Sequence, residues 1–163
     1  MVGPKKNSLI LSIVFALTPP MGSAETLTGN ASVIDADTIE IHGQRIRLEG
    51  IDAPESGQRC YHTNGTAWRC GQKASLAVAN VIGRRTVACK INSVDRYGRG
   101  LGTCYLGKTD LNGLIVNQGW ALAYTRYSTR YVADQNIAQA NKSGIWSSRF
   151  VAPWDWRRGA RIK

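Results

Sequence analysis

Apolar and polar residues alternate through residues 31–51, ASVIDADTIEIHGQRIRLEGI, as they do in strands that bury one face. Ile39 and Ile41 point to one side of their strand, and the polar residues beside them point to the other. A His-Gly pair marks a turn, after which Ile46 and Leu48 repeat the pattern. The segment therefore predicts consecutive strands with one face in a core and one charged face outside.

The later part of the chain changes from strand patterns to helix patterns and back. Apolar residues within 72–82 fall at helical spacing, and Gly83 ends that run. TVACKI and GLGTCYL read as two strands joined by a glycine-punctuated connection. LNGLIVNQG and YVADQNIAQANKSG read as short helices that end at Gly119 and Gly144. This order predicts an α+β domain built on a small antiparallel barrel, with helices packed at its side or end.

The first 24 residues have the layout of a secretory signal peptide. Lys5 and Lys6 precede the apolar run LILSIVFAL, and small residues lead to a cleavage site after Ala24. An uncleaved anchor is the alternative, although this run is too short to span a bilayer. We expect cleavage of residues 1–24, one domain over 25–150, and a Trp- and Arg-rich tail over 151–163. We further expect a secreted or periplasmic monomer without a membrane segment.

Export determines how the four cysteines are interpreted, because paired thiols persist in an oxidising compartment. Three pairings are possible in principle. We expect Cys60 to pair with Cys70 across a short loop and Cys89 to pair with Cys104 between two strands. A zinc site is the competing interpretation, but the spacings contain no C-x-x-C pair and the two histidines are not placed to complete one.

The chain is strongly basic, with a formal net charge of +10 that falls to +8 when residues 1–24 are removed. Such an excess favours polyanionic partners, either nucleic acid or an anionic surface. Charge alone does not show whether the protein binds such a partner or whether its basic residues only keep it soluble.

Three short motifs contain charged residues that could act in catalysis or in binding a metal or a phosphate: VIDADT, RLEGIDAPE and DRYGRG. In this order they resemble the staphylococcal nuclease (thermonuclease) family, whose pattern is D-x-D-T, then R…D-x-P-E, then D-x-Y-G-R-G. The resemblance extends from about residue 31 to residue 147, where GIWS is similar to the closing element of the family. It implies a five-stranded OB-fold antiparallel β-barrel with about three packed α-helices.

The resemblance also implies a calcium-dependent nuclease that cleaves phosphodiester bonds in DNA and RNA and leaves 3′-phosphate ends. The residues carried over are catalytic Arg47, Glu55 and Arg99, and calcium ligands Asp37, Asp52 and the backbone carbonyl of Ala53. The best-known member of the family has threonine in place of Ala53, so a side-chain hydroxyl is missing here while the backbone ligand remains.

The residue types themselves suit this chemistry. Carboxylates such as Asp37 and Asp52 are hard oxygen ligands suited to calcium. Arg47 and Arg99 can hold phosphate oxygens through paired hydrogen bonds. Glu55, three residues after Asp52 on a proline-stiffened turn, can face the same site as a base or as a group that positions water.

Other residues are candidates for supporting roles. Asp35 could orient the metal ligands through hydrogen bonds. Tyr97 and Tyr127, whose places are similar to nucleotide-pocket tyrosines of the family, could stack on bases, although tyrosines at such spacings also serve in packing. The basic residues of the 151–163 tail could grip a nucleic acid backbone or form a frayed end.

Several alternatives remain open from the sequence. Asp35, Asp37 and Asp52 could simply initiate turns, because Asp favours such positions. An OB-fold barrel could also bind nucleic acid without cutting it. A third alternative is a secreted, disulfide-held protein that adheres to anionic surfaces.

Overall fold

The computed structural model describes residues 25–162, and the expected signal peptide at residues 1–24 lies outside them. Within these residues the chain forms ten strands, four α-helices and one 3₁₀ helix. The strands are β1 (Glu25–Asp35), β2 (Thr38–Ile41), β3 (Gln44–Leu48), β4 (Ile51–Asp52), β5 (Cys60–Tyr61), β6 (Ala67–Trp68), β7 (Thr86–Val94), β8 (Gly100–Leu106), β9 (Thr109–Asp110) and β10 (Leu122–Ala123). The helices are α1 (Cys70–Ile82), α2 (Leu111–Asn117), α3 (Val132–Ala140), the 3₁₀ helix (Gly144–Ser147) and α4 (Pro153–Arg157).

Five strands close into a barrel in the order β3-β2-β1-β7-β8, with β9 added at the end of β8. Neighbouring strands in this order are antiparallel, but the pair that closes the barrel, β3 with β8, is parallel. The five-stranded α+β barrel expected for the family is therefore confirmed, with mixed rather than wholly antiparallel pairing. The closing pair joins strands that are far apart in the sequence, so local patterns carried no signal for its direction.

The alternation in the sequence sets which face of each strand enters the barrel. Ile39, Ile41, Ile46 and Leu48 are fully buried, as the period of two predicted. Buried residues of the helices cover the same core, among them Val78 of α1 and Ile115 of α2. Burial of these apolar side chains is the main driving force that holds the helices against the barrel.

The helices predicted from spacing are present at the expected places. Gly83 follows α1 with a φ of 57°, a left-handed conformation that glycine adopts without steric cost. Gly119 and Gly144 lie against each other, and a Cβ on Gly119 would come within 2.2 Å of the Ser143 carbonyl oxygen. Gly119 follows the C-cap of α2, whereas α3 ends at Ala140, before the predicted end, and Gly144 begins the 3₁₀ helix; both glycines allow the close backbone contact.

Both expected disulfides are present. Cys89 of β7 lies directly opposite Cys104 of β8 in the barrel register, and the two are bonded. Cys60 and Cys70 join the short β5-β6 hairpin to the first residue of α1. This second bridge belongs to a separate apolar cluster that also contains Leu122 and Ile145.

The segment after residue 148 packs on this second cluster instead of fraying from the domain. Phe150, Ala152 and Trp154 are partly buried against it. The Trp154 ring stacks on the Tyr124 ring with centroids 5.4 Å apart. The segment ends in α4, whose first residue is a proline with a φ suited to the start of a helix. Residues 151–162 are thus attached to the barrel domain.

None of the helices formed by residues 25–162 is long and apolar enough to cross a bilayer.

Candidate active site

The loops at one end of the barrel bring together the acidic residues of the first two motifs. Asp37 lies in the turn between β1 and β2, and its carbonyl oxygen accepts a hydrogen bond from the Leu48 backbone at 2.8 Å. Asp52 lies in β4, which pairs with β10. Both carboxylates are almost completely removed from solvent, with Asp37 3% and Asp52 0% exposed. Buried carboxylates need charged or hydrogen-bonding partners.

Arg47 connects these two carboxylates. It lies on β3 directly opposite Thr38 of β2, which places its side chain beside Asp37. Its Nη1 donates to Oδ1 of Asp37 at 2.8 Å, and its Nη2 donates to Oδ1 of Asp52 at 2.6 Å. The backbone N–H of Ala53 donates to the other oxygen of Asp37 at 2.7 Å. The structure therefore brings four residues of the predicted site into direct contact: Asp37, Arg47, Asp52 and Ala53.

Glu55 lies in the loop after β4, and two close contacts hold that loop. A Cβ on Gly71, in the first turn of α1, would come within 1.7 Å of the Glu55 carbonyl oxygen, so only glycine allows this approach. The fully buried Gln58 accepts from the Glu55 backbone N–H through Oε1 at 3.4 Å. Its Nε2 donates to the carbonyl of Val151 at 2.7 Å. Gln58 thus ties the Glu55 loop to the C-terminal segment.

Arg99 is oriented by Asp95 within the β7-β8 connection. Oδ2 of Asp95 accepts from Nε of Arg99 at 2.8 Å and lies 2.7 Å from its Nη2. Oδ1 of Asp95 accepts from the backbone N–H groups of Tyr97 and Arg99. Burial by itself would raise the pKa of Asp95, but these hydrogen bonds and the charge of Arg99 hold it below its usual value.

Arg47 and Arg99 face one cavity of about 270 Å³. Tyr124 and Tyr127 also line this cavity, with their rings in edge contact at a centroid distance of 5.0 Å. Tyr127 is 72% exposed, so its ring is available for contact with a ligand. Both arginines can therefore meet the same bound group, beside two aromatic rings.

Tyr97 does not line the cavity shared by Arg47 and Arg99. Its ring is 68% exposed and lies under Arg96 and Arg99, at 4.8 and 5.4 Å from their guanidinium carbons. Arg96 also donates to its hydroxyl at 2.6 Å. Tyr97 thus packs on Arg99 at the edge of the site.

The ionisable groups of the site influence each other electrostatically. Burial raises the pKa of Asp37 to about 6, against the opposing effects of Arg47 and of the hydrogen bond from Ala53. Burial and the negative charge of Glu55 raise the pKa of Asp35, while Arg47 and Arg99 lower it. Asp35 therefore lies within the field of the three residues predicted to be catalytic.

One residue of the site, Arg157, was not predicted from the sequence. Its Nη2 donates to Oδ2 of Asp52 at 2.7 Å, and its Nη1 donates to Oδ1 of Asp52 at 3.0 Å and to Oε1 of Glu55 at 2.7 Å. Burial by itself would lower the pKa of Arg157, but the hydrogen bonds from its guanidinium to both acids raise it above its usual value. In the sequence this arginine lies in a basic tail, and no local pattern links it to acids about a hundred positions earlier.

The donor chemistry of this site fits a hard cation. Asp37 and Asp52 supply buried carboxylate oxygens from two separate segments, which calcium and magnesium prefer over nitrogen and sulfur. In the part of the chain that the structure describes, no group of three or more His, Cys, Asp or Glu side chains is placed to hold a metal. All four cysteines are in disulfides, so they offer no thiolate to zinc. A cation here would need the two carboxylates together with backbone oxygen and water.

Comparisons with known proteins agree with this arrangement. The family model described as staphylococcal nuclease homologue matches residues 45–148. The succinoglycan biosynthesis protein ExoI of Rhizobium meliloti (strain 1021) is 39% identical over 154 residues, covering 91% of this chain and 80% of that protein. The micrococcal nuclease of Shigella flexneri is 33% identical over 147 residues, covering 79% of each chain. The probable staphylococcal-like nuclease CAN1 of Oryza sativa subsp. japonica is 33% identical over 120 residues, covering 72% of this chain and 33% of that protein.

The family match includes two of the three motifs in full, together with Arg47 on β3 and Arg99 in the β7-β8 connection. Nucleases of this family are generally metal-dependent, and their substrate is nucleic acid. The chain therefore belongs to the staphylococcal nuclease homologue family, and it is a nuclease of the hydrolase class.

Proposed function

We propose that this protein hydrolyses phosphodiester bonds in DNA and RNA with calcium as its metal ion, and that it acts outside the cytoplasm as a monomer. The observation that carries the proposal is the contact of Arg47 with both Asp37 and Asp52, on the cavity that Arg99 also lines. Acids from two segments and two guanidinium groups then meet at one end of the barrel. This combination of charges suits phosphodiester hydrolysis, in which negative charge develops on the phosphoryl oxygens.

In this proposal Asp37, Asp52 and the carbonyl of Ala53 hold the metal. Calcium, when bound there, supplies positive charge that polarises the phosphate and offsets the charge of the acids. Asp35 helps to orient these ligands through its charge and hydrogen-bonding capacity. Ala53 lacks the side-chain hydroxyl that threonine has at this position in the best-known family member, but its backbone carbonyl can still serve as a ligand.

Arg47 and Arg99 bind the non-bridging phosphate oxygens and stabilise the negative charge that develops on them. Glu55 positions a water molecule and accepts its proton as the water oxygen bonds to phosphorus. The bond from phosphorus to the 5′ oxygen then breaks, and a proton from solvent neutralises that oxygen. The products are a 3′-phosphate end and a free 5′-hydroxyl.

Tyr127 is proposed to contact a nucleotide of the substrate because its exposed ring lines the arginine cavity. Tyr97 is proposed to contribute by packing on Arg99 and by offering its exposed face to a base. Base stacking tolerates different sequences, which suits a nuclease without strong sequence preference.

The location outside the cytoplasm is supported by the sequence of residues 1–24 and by the two disulfides. Residues 25–150 are proposed as the nuclease domain. The Trp- and Arg-rich segment 151–163 follows it and contacts it through Val151, Trp154 and Arg157.

Incubation of the purified protein with plasmid DNA or with RNA, first in calcium and then with a chelator, tests the proposal. We expect cleavage in calcium and its loss with the chelator. The variants Glu55→Gln and Arg99→Ala should lose cleavage while keeping the thermal unfolding transition, whereas Lys108→Ala, which removes an exposed cation elsewhere, should behave as the wild type. Cleavage that persists in chelator would remove calcium from the mechanism, and full activity of both site variants would overturn the residue assignment. Binding without cleavage would instead indicate a non-catalytic OB-fold module.

A further inference from the structure

We infer that Arg157 is a built-in counter-ion of the active-site acids, which a divalent cation must displace from Asp52 and Glu55 before it can bind. The inference concerns the metal step of the proposed function and rests on it. Arg157 belongs to α4, which begins after the last residue matched by the family model.

The hydrogen bonds of Arg157 take up oxygens that a metal would need. Its guanidinium contacts both oxygens of Asp52 and one oxygen of Glu55, at 2.7 to 3.0 Å. Arg47 contacts Oδ1 of Asp52 as well. Asp52 is fully buried, so its charge needs positive partners, and a cation that replaces Arg157 would keep it compensated together with Arg47.

Oδ1 of Asp52 already accepts from both Arg47 and Arg157, and Oδ2 accepts from Arg157, so a divalent cation at contact distance meets an occupied carboxylate. Two positive charges a few ångströms apart also repel each other, and more strongly beside the buried Asp52 than in bulk water. Binding of the cation and contact of Arg157 with Asp52 are therefore mutually exclusive, and the apparent calcium Kd rises with the fraction of protein in which Arg157 holds Asp52.

Contacts made by the residues just before Arg157 hold α4 in place. The carbonyl of Val151 accepts from Gln58, whose other side-chain atom contacts the Glu55 backbone. Trp154 stacks on Tyr124, which lines the cavity shared by Arg47 and Arg99. These contacts are independent of Arg157 itself. The arginine side chain can therefore leave the acids while α4 stays docked, which makes the contact a displaceable one.

The neighbouring Arg158 provides a matched control. It lies on the same helix end and pairs with Asp155 rather than with an acid of the site. Replacement of either arginine by glutamine removes one positive charge from the same region. Only replacement of Arg157 removes a competitor of the cation.

Calcium titration calorimetry on the full mature chain, with Arg157→Gln and Arg158→Gln beside the wild type, tests the inference. Loss of charge-assisted hydrogen bonds from the metal-free state should tighten the apparent calcium Kd of Arg157→Gln by about tenfold. Arg158→Gln should bind calcium as the wild type does. In chelator, Arg157→Gln should have a lower Tm than Arg158→Gln, and saturating calcium should reduce that difference.

Nuclear magnetic resonance gives a readout that does not depend on activity. The Nε–Hε resonance of Arg157, assigned by its absence from Arg157→Gln, should shift on calcium addition and exchange faster with water. If Arg157→Gln does not fold, Trp154→Ala, which loosens α4 without changing charge, should also tighten calcium binding. Equal or weaker calcium binding by the folded Arg157→Gln variant would overturn the inference, and so would absence of calcium binding to both folded proteins.

The two proposals fail in different ways. A protein that binds calcium more tightly without Arg157 but does not cut nucleic acid would keep this inference and reject the proposed function. A protein that cuts nucleic acid with calcium, with the same calcium Kd in all variants, would keep the function and reject the inference.

Discussion

Arg47 Nη2 lies 2.6 Å from Oδ1 of Asp52, while its Nη1 lies 2.8 Å from Oδ1 of Asp37. One guanidinium therefore compensates two buried carboxylates, one from the β1-β2 turn and one from β4. The planar fork of arginine can reach both, and the single ammonium of lysine cannot do so with the same geometry.

The first prediction concerns this bridge. Arg47→Ala leaves two buried acids without their shared partner and should lower the free energy of unfolding by about 3 kcal/mol. Arg47→Lys keeps the charge and should unfold closer to the wild type, yet cleave at least about a hundredfold more slowly because paired phosphate contacts are lost. Urea denaturation and an initial-rate cleavage assay measure the two effects. Wild-type rates in Arg47→Lys would contradict a role that depends on the guanidinium.

The second prediction concerns Asp95, which holds Arg99 through its Nε and Nη2 atoms. Asp95→Asn keeps an oxygen for the backbone N–H groups of the loop but removes the ion pair. We expect cleavage to fall by about tenfold, with most of the effect on kcat, because Arg99 is no longer oriented towards the phosphate. The thermal unfolding transition should fall only modestly, since the Asp95–Arg99 ion pair is half-buried and keeps some contact with solvent.

Retention of full kcat in Asp95→Asn would show that Arg99 needs no orientation from this carboxylate. Arg96→Ala serves as a control for the same loop, because it removes a neighbouring guanidinium that contacts Tyr97 rather than Asp95.

The third prediction concerns pH and Asp37. Burial raises the pKa of Asp37 from 3.8 to about 6 in the folded protein, so the folded state binds this proton more tightly than the unfolded state. The stability contributed by its protonated form is present below pH 3.8 and is lost as the pH rises through about 6. In chelator, the free energy of unfolding of the wild type relative to Asp37→Asn should therefore fall between about pH 4 and pH 6.

Urea denaturation of both proteins at several pH values measures this difference. A difference that stays constant from pH 4 to pH 7, or that rises, would contradict the raised pKa of Asp37.

The fourth prediction compares the two disulfides. The Cys60–Cys70 and Cys89–Cys104 bridges span 10 and 15 positions, so replacement of either pair by alanine should cost about 2 to 3 kcal/mol of stability. Only Cys60–Cys70 borders the loop that carries Glu55 and Gln58. Its loss should also reduce cleavage, whereas loss of the barrel bridge should leave the rate nearly unchanged at a temperature where both proteins are folded. Equal rates in the two double variants would show that the Glu55 loop is held without this bridge.

The elements that depend on local patterns were predictable from the sequence. Alternation around Ile39 and Ile46 predicted barrel strands, and helical spacing before Gly83 predicted α1. The partnership of Cys89 and Cys104 followed from two strands joined by one turn. These features depend on residues near each other in the chain, where spacing carries the information.

The elements that depend on distant contacts were not predictable in the same way. The parallel closure of β3 on β8 and the pairing of β4 with β10 join segments without a common local signal. Gln58 gave no sign of a structural role until its contacts with Glu55 and Val151 were seen. Whether the tail frays was left open by the sequence, and packing of Trp154 on Tyr124 holds this part of it on the barrel domain.

The amino-acid sequence by itself determined the family, the barrel strands, and the acids and arginines of the three motifs, because each of these depends on residues close together in the chain. The tertiary structure alone decided that Arg47 joins Asp37 to Asp52 and that Arg157 reaches Asp52 and Glu55. The physical reason is that a buried charge needs a partner within about 3 Å, and only the folded chain places a guanidinium from a distant segment at that distance.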